Sequence, residues 1–154
     1  MFHGQLLAIF LAPSRGIDLR PVDEAQAIAG RGLIGDRYLL PEGKTRPDQE
    51  VTLIEHEALA ALAADYQLTL EPRQSRRNLL TRGVPLNHLV GQTFRVGPVV
   101  LRGVRLCEPC GHLEKLTGQR VMKGLCHRGG LRAQIVVGGT LRVGDAIQPA
   151  ESKD

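Results

Sequence analysis

Gly91-Gln92-Thr93-Phe94-Arg95-Val96-Gly97 recurs 47 residues later as Gly138-Gly139-Thr140-Leu141-Arg142-Val143-Gly144. From Thr to Val each copy alternates in the period-2 manner of a half-buried strand, and each ends on a glycine turn. An apolar run follows each, over 99–104 and 146–148. Two copies are too few for a solenoid. They predict two similar hairpins in one barrel or curled sheet. Working outward, residues 4–11, 22–29, 51–54, 68–70, 77–81 and 131–137 also read as strands. Residues 55–65 (EHEALAALAAD) place Ala58, Leu59 and Leu62 on one helical stripe, and 109–116 reads as a short helix opening directly after a strand. Eighteen Gly and nine Pro punctuate 154 residues without any low-complexity linker, which argues against a helix bundle. The expectation is one domain over 1–154, mostly β, with two or three short helices.

Composition narrows the class. Hydrophobic residues at 42% and charged residues at 23% exclude a disordered or fibrous chain. With no Trp and 3% aromatics, the core must come from Leu, Val, Ile and Ala. No apolar run approaches the ~20 residues of a membrane span. Residues 6–12 are too short for a leader and follow no basic segment, so a cytoplasmic protein without a membrane partner is expected. Three Cys, an odd number, point to reactive or metal-binding thiols rather than a disulfide framework.

Charge is unevenly distributed. Residues 1–71 carry a balance of −5 and residues 72–154 one of +9, with seven Arg and no acid between Glu71 and Glu108. Arg forks suit phosphate and carboxylate oxygens. An anionic ligand fits, as does the bland reading of a GC-rich, Arg-rich composition. Scarce Lys and aromatic residues argue against nucleic acid.

Four motifs carry chemistry. Gly30-Arg31-Gly32-Leu33-Ile34-Gly35 matches G-x-G-x-x-G in letters, but Pro41 and Gly43 follow where the dinucleotide motif needs a helix. A tight turn presenting Asp36 and Arg37 is expected instead. In Ser75-Arg76-Arg77-Asn78, strand alternation would put Arg76 and Asn78 on one face. That pair suits a phosphate or a heterocycle edge, or equally a charged edge strand. Cys107-Glu108-Pro109-Cys110-Gly111-His112 places Cys110 at the first turn of a helix, where a thiolate is favoured. Nucleophile, persulfide carrier and soft-metal ligand all fit, beside a plain pair of thiols in a reducing compartment. Cys126-His127 adds two zinc-type ligands to Cys107 and Cys110, although adjacent Cys and His rarely both reach one tetrahedral ion.

Taken in order, Gly32-Leu33-Ile34-Gly35-Asp36-Arg37-Tyr38, Val51-Thr52-Leu53-Ile54, Arg76-Arg77-Asn78-Leu79, residues 91–94 and Cys107-Glu108-Pro109-Cys110-x-x-Leu113-Glu114 resemble the MOSC domain. This is the C-terminal domain of eukaryotic molybdenum cofactor sulfurase, and the resemblance is strongest to its small free-standing bacterial members. It extends from about Leu6 to Ile147. It implies a β-barrel-like fold with a few short helices. It also implies that Cys110 is the family's cysteine, a sulfur carrier in the sulfurase and a thiolate ligand of molybdenum in amidoxime-reducing relatives. By the same resemblance Arg37, Arg76, Asn78 and, in a loop, Ser14 contact the molybdopterin of the molybdenum cofactor. The implied activity is reduction of N-hydroxylated or related small molecules with electrons from a redox partner. The alternative is a non-enzymatic persulfide carrier loaded by a cysteine desulfurase, with Cys107 able to resolve the persulfide. Pyridoxal phosphate would then enter only through that partner, since no lysine here has a Schiff-base setting.

Overall fold

The computed structural model describes residues 1–150. The strands are β1 (Gly4–Leu11), β2 (Arg20–Val22), β3 (Glu24–Ile28), β4 (Gly32–Leu33), β5 (Val51–Glu55), β6 (Leu79–Arg82), β7 (Thr93–Val96), β8 (Val99–Leu106), β9 (Leu131–Val137), β10 (Gly139–Arg142) and β11 (Ala146–Pro149). The helices are α1 (His56–Tyr66), α2 (Gly111–Thr117) and α3 (Met122–Leu125). Seven strands close into a barrel in the order β11-β7-β8-β9-β5-β6-β1, with β1 pairing back to β11. β2 extends the far end of β1, and β10-β3-β4 form a separate small sheet. No described helix is long and apolar enough to cross a membrane.

Neighbours around a closed ring can alternate direction throughout only when their number is even. Seven strands therefore need a parallel pair, and it is β5–β6, in register Leu53↔Leu79. Parallel neighbours require a long crossover, which α1 supplies. Strands in such a setting are covered on both faces, and Val51 to Ile54 and Leu79 to Thr81 are buried without interruption. Leu53 and Leu79 enter the barrel interior with Leu6, Phe94, Leu101 and Leu131. Ile54 and Leu80 face outward into a second cluster with Leu59, Leu62, Leu113 and Leu125.

Where β5 and β6 start side by side, Asn78 joins three strands. It is 0% exposed. Its Oδ1 accepts the Thr52 backbone N–H and hydroxyl, both at 3.1 Å. Its backbone N–H donates to Thr52 Oγ1 at 3.1 Å, and its Nδ2 donates to the Phe10 carbonyl at 3.1 Å.

Several expectations are corrected. Only the first heptad makes a hairpin: β7 turns through Gly97 and pairs with β8. In the second copy β10 leaves the barrel to pair with β3 (Thr140↔Gln26, Arg142↔Glu24). Two cross-strand contacts fix that choice, Gln26 Nε2 to Thr140 Oγ1 at 2.7 Å and Arg142 to Glu24 at 3.3 Å. Gly138 lies so close to the Ala27 carbonyl that no side chain fits there. The Asp145 carboxylate then caps the Arg142 N–H at 2.8 Å, turning the chain into β11. The expected strand at 22–29 is two short strands, β2 and β3, and 68–70 is irregular. Residues 76–78 do not begin a strand. Arg76 closes a 3-10 turn (Pro72–Ser75) at φ 62°, so strand alternation does not place it beside Asn78.

Asn78→Ala should cost about 2–4 kcal/mol in chemical denaturation, because it strands the Thr52 N–H and the Phe10 carbonyl in a buried setting. An unchanged denaturation midpoint would contradict this role.

Candidate functional site

A cleft of about 190 Å³ opens beside the starts of β5 and β6, lined by Arg15, Gly16, Arg37, Tyr38, Thr52, Arg76, Arg77, Cys107, Glu108, Cys110, Leu113 and Arg132. Residues from four of the five segments that carry the family resemblance meet there. β9 brings Arg132 directly across from Thr52, and Thr52 is the partner of Asn78. The end of β8 delivers Cys107, and the following loop delivers Cys110. The loop after β1 contributes Arg15, and the turn after β4 contributes Arg37 and Tyr38.

Arg77 holds the floor together. It is 8% exposed and donates only to backbone carbonyls: Nε to Gly129 at 2.8 Å, a terminal nitrogen to Ser75 at 3.1 Å, and the other to Cys107 at 3.1 Å. Burial pushes its pKa below the ordinary value. Gly129 and Gly130 allow this approach. A side chain on Gly129 would strike the Cys107 carbonyl, and one on Gly130 the Leu53 carbonyl. The Cys107 N–H donates to the Gly130 carbonyl at 2.7 Å, so Arg77 and this pair fix the segment leading to Cys110.

The remaining cations differ in how far they are satisfied. Arg37 is neutralised by the buried Asp36 at 3.1 Å and also donates to the Arg76 carbonyl at 3.0 Å. Its guanidinium stacks 4.4 Å from the Tyr38 ring centre, and that of Arg15 lies 5.5 Å from the same ring. Arg76 donates to the Ile17 carbonyl at 3.0 Å. Burial first, then the nearby Arg37 charge, lower its pKa. Arg132 donates to the Asp48 carbonyl at 3.2 Å, while its buried Nε has no partner among the described residues. Of the five arginines lining the cleft, Arg37 alone has a carboxylate partner among the described residues. A desolvated cation without a counter-ion is costly, and a bound anion would remove that cost.

The sequence-derived residues fall into three groups. Cys110, Arg37 and Arg76 line the cleft. Cys110 is exposed and stands immediately before α2, in an extended conformation. Asn78 is not a lining residue; its polar atoms are taken up by Thr52 and Phe10. Ser14 is exposed and precedes the lining residues Arg15 and Gly16. Sequence reasoning missed Arg132, Arg15 and Thr52. Their signal was weak, because each depends on pairing between distant strands or on the path of a loop. Cys126 stands apart from the cleft lining, as does His127.

The fold and site together define a closed seven-strand barrel whose cleft is lined by five arginines and the exposed Cys110. The MOSC domain profile matches residues 40–148, and the chain belongs to the MOSC domain family. Among solved structures, YuaD from Bacillus subtilis superposes with a TM-score of 0.82 at 15% identity, covering 96% of this chain and 97% of that one. YiiM from Geobacillus stearothermophilus gives 0.75 at 15% identity, covering 96% and 75%. YiiM from Escherichia coli gives 0.67 at 18% identity, covering 99% and 71%. These likenesses are of fold. No curated protein matches the sequence significantly.

At matched ionic strength, inorganic pyrophosphate should raise the thermal midpoint relative to chloride, and Arg132→Gln should remove most of the rise. Equal stabilisation of both proteins would place the anion elsewhere.

Proposed function

We propose that this MOSC protein binds the molybdenum cofactor in the arginine-lined cleft, with the Cys110 thiolate as a protein ligand of molybdenum. The observation that carries this reading is the coincidence, in one cleft, of the exposed Cys110 with Arg15, Arg76 and Arg132, which lack carboxylate partners among the described residues. The donor set suits the group. A thiolate is a soft ligand, and Arg forks match phosphate oxygens. The orphaned Arg132 Nε is a donor in want of an acceptor.

Each residue then has a part. Cys110 would hold the metal. Arg15, Arg76 and Arg132 would take the anionic groups of the pterin. Arg37, spent on Asp36 and the Arg76 backbone, would keep Arg76 in place. Arg77 would position the Cys107 to Cys110 segment without touching the ligand. Asn78 acts through Thr52, which lines the cleft, and Ser14 would serve through its loop. When bound, the cofactor supplies two-electron redox chemistry, suited to reducing an N-hydroxylated small molecule. Electrons would come from a redox partner in the cytoplasm.

The exposure of Cys110 also favours a second reading, a sulfur carrier. Its thiolate would attack the outer sulfur of a persulfide on a pyridoxal-phosphate-dependent cysteine desulfurase. Cys110 would become the persulfide, and the desulfurase cysteine would leave as a thiolate. Cys107, 2% exposed, would reach such a persulfide only after local movement.

Elemental analysis of the chain from a molybdate-supplied host that makes the cofactor tests the first reading. Near-stoichiometric molybdenum is expected, lost in Cys110→Ser and mostly retained in Cys107→Ser. Equal retention in both variants rejects Cys110 as ligand. If molybdenum is absent, a persulfide mass gain at Cys110 after incubation with a desulfurase supports the carrier.

A further inference from the structure

Cys126 and His127 have no part in the cleft, yet their surroundings are specific. A ligand atom from each of Glu108, Cys126 and His127 lies within 4.8 Å of the other two. Glu108 Oε2 is 3.0 Å from His127 Nδ1, and Glu108 Oε1 accepts the His127 backbone N–H at 2.8 Å. The backbone of His127 adopts a left-handed conformation, φ 62°, and its carbonyl accepts a hydrogen bond from Asn87 Nδ2. This turn brings the adjacent Cys126 and His127 together, a juxtaposition that an extended chain would not allow.

A tetrahedral zinc ion bonded at about 2.0–2.3 Å holds its ligand atoms roughly 3.3–3.8 Å apart. The Glu108–His127 pair stands at 3.0 Å and all three ligand atoms lie within 4.8 Å of one another, so side-chain rotation alone would close them on an ion. The three residues are exposed, and rotation is therefore open to them. A thiolate, an imidazole nitrogen and a carboxylate oxygen form a zinc-type donor set. From this geometry we infer that Glu108, Cys126 and His127 form a second metal site, selective for zinc or a similar divalent transition ion. Three protein ligands leave a fourth position for water or a small anion.

The location gives the ion a role distinct from the cleft chemistry. Glu108 lies between Cys107 and Cys110 and itself lines the cleft. Cys126 and His127 begin the segment that leads to Gly129 and Gly130. Zinc would tie these two loops together and hold the cleft rim. The inference does not depend on molybdenum binding and is tested without it.

The test uses the full chain, stripped with a chelator and titrated with cobalt(II), then zinc(II). A near-ultraviolet thiolate-to-cobalt band should appear and be displaced by one equivalent of zinc. Cys126→Ser should abolish the band and weaken zinc binding by more than about tenfold, since loss of outer-shell partners alone costs that much. Glu108→Gln, which leaves every thiol intact, should also weaken zinc binding, whereas Cys110→Ser should keep the band. Iodoacetamide mapping should show zinc protecting Cys126 but not Cys110. Absence of the band, its persistence in Cys126→Ser, or its loss in Cys110→Ser would overturn the assignment. The last outcome would place the ion on the cleft thiol.

Discussion

A ring of seven strands cannot alternate direction all the way round, and much of the site follows from that constraint. The barrel meets it with the parallel pair β5–β6. Parallel neighbours begin at the same end, so Thr52 and Asn78 stand side by side. The crossover through α1 must return to that end before β6 begins, and it arrives as Ser75-Arg76-Arg77-Asn78. Antiparallel β9 starts against the same end of β5, bringing Arg132 to Thr52, while β8 ends there and hands on Cys107. The cationic residues and the thiols are therefore gathered by strand direction, not by nearness in sequence.

The second organising element is positive charge left partly uncompensated. Asp36 neutralises Arg37, and carbonyls alone surround Arg77. Arg76 and Arg132 retain donors that protein acceptors only partly occupy. A barrel stabilised by Leu, Val and Ile offsets this through its apolar interior and the second apolar cluster beneath α1. The energetic cost falls on the cleft, where the proposed anionic ligand would offset it. Three of the five cleft arginines, Arg76, Arg77 and Arg132, come from residues 72–154, where the charge balance is +9.

The mostly-β class, α1 and the MOSC resemblance were legible because each rests on local pattern or motif order. The heptad repeat was legible only in part. Both copies alternate like strands, but pairing depends on partners far away: Glu24 and Gln26 draw the second copy into the small sheet. Cys110, Arg37 and Arg76 were found through motifs. Arg132 and Arg15 were not, since a lone Arg on a strand or loop carries no sign of what faces it. Asn78 stood out in its motif, and the fold gives it a structural task. Its side chain replaces ladder hydrogen bonds at the point where three strands meet. The pairing of Cys126 with His127 was discounted on spacing alone, and the left-handed backbone at His127 is what spacing could not reveal.

In the proposed reading, Cys110 and the guanidinium groups without carboxylate partners form one ligand site. The most direct measurement is an anomalous difference map recorded at the molybdenum absorption edge, from crystals of the chain produced in a host that makes the cofactor. A peak within bonding distance of Cys110 Sγ is expected, with the rest of the cofactor density running toward Arg76 and Arg132. A molybdenum peak remote from Cys110, or a cleft without one in molybdenum-containing crystals, would contradict that reading.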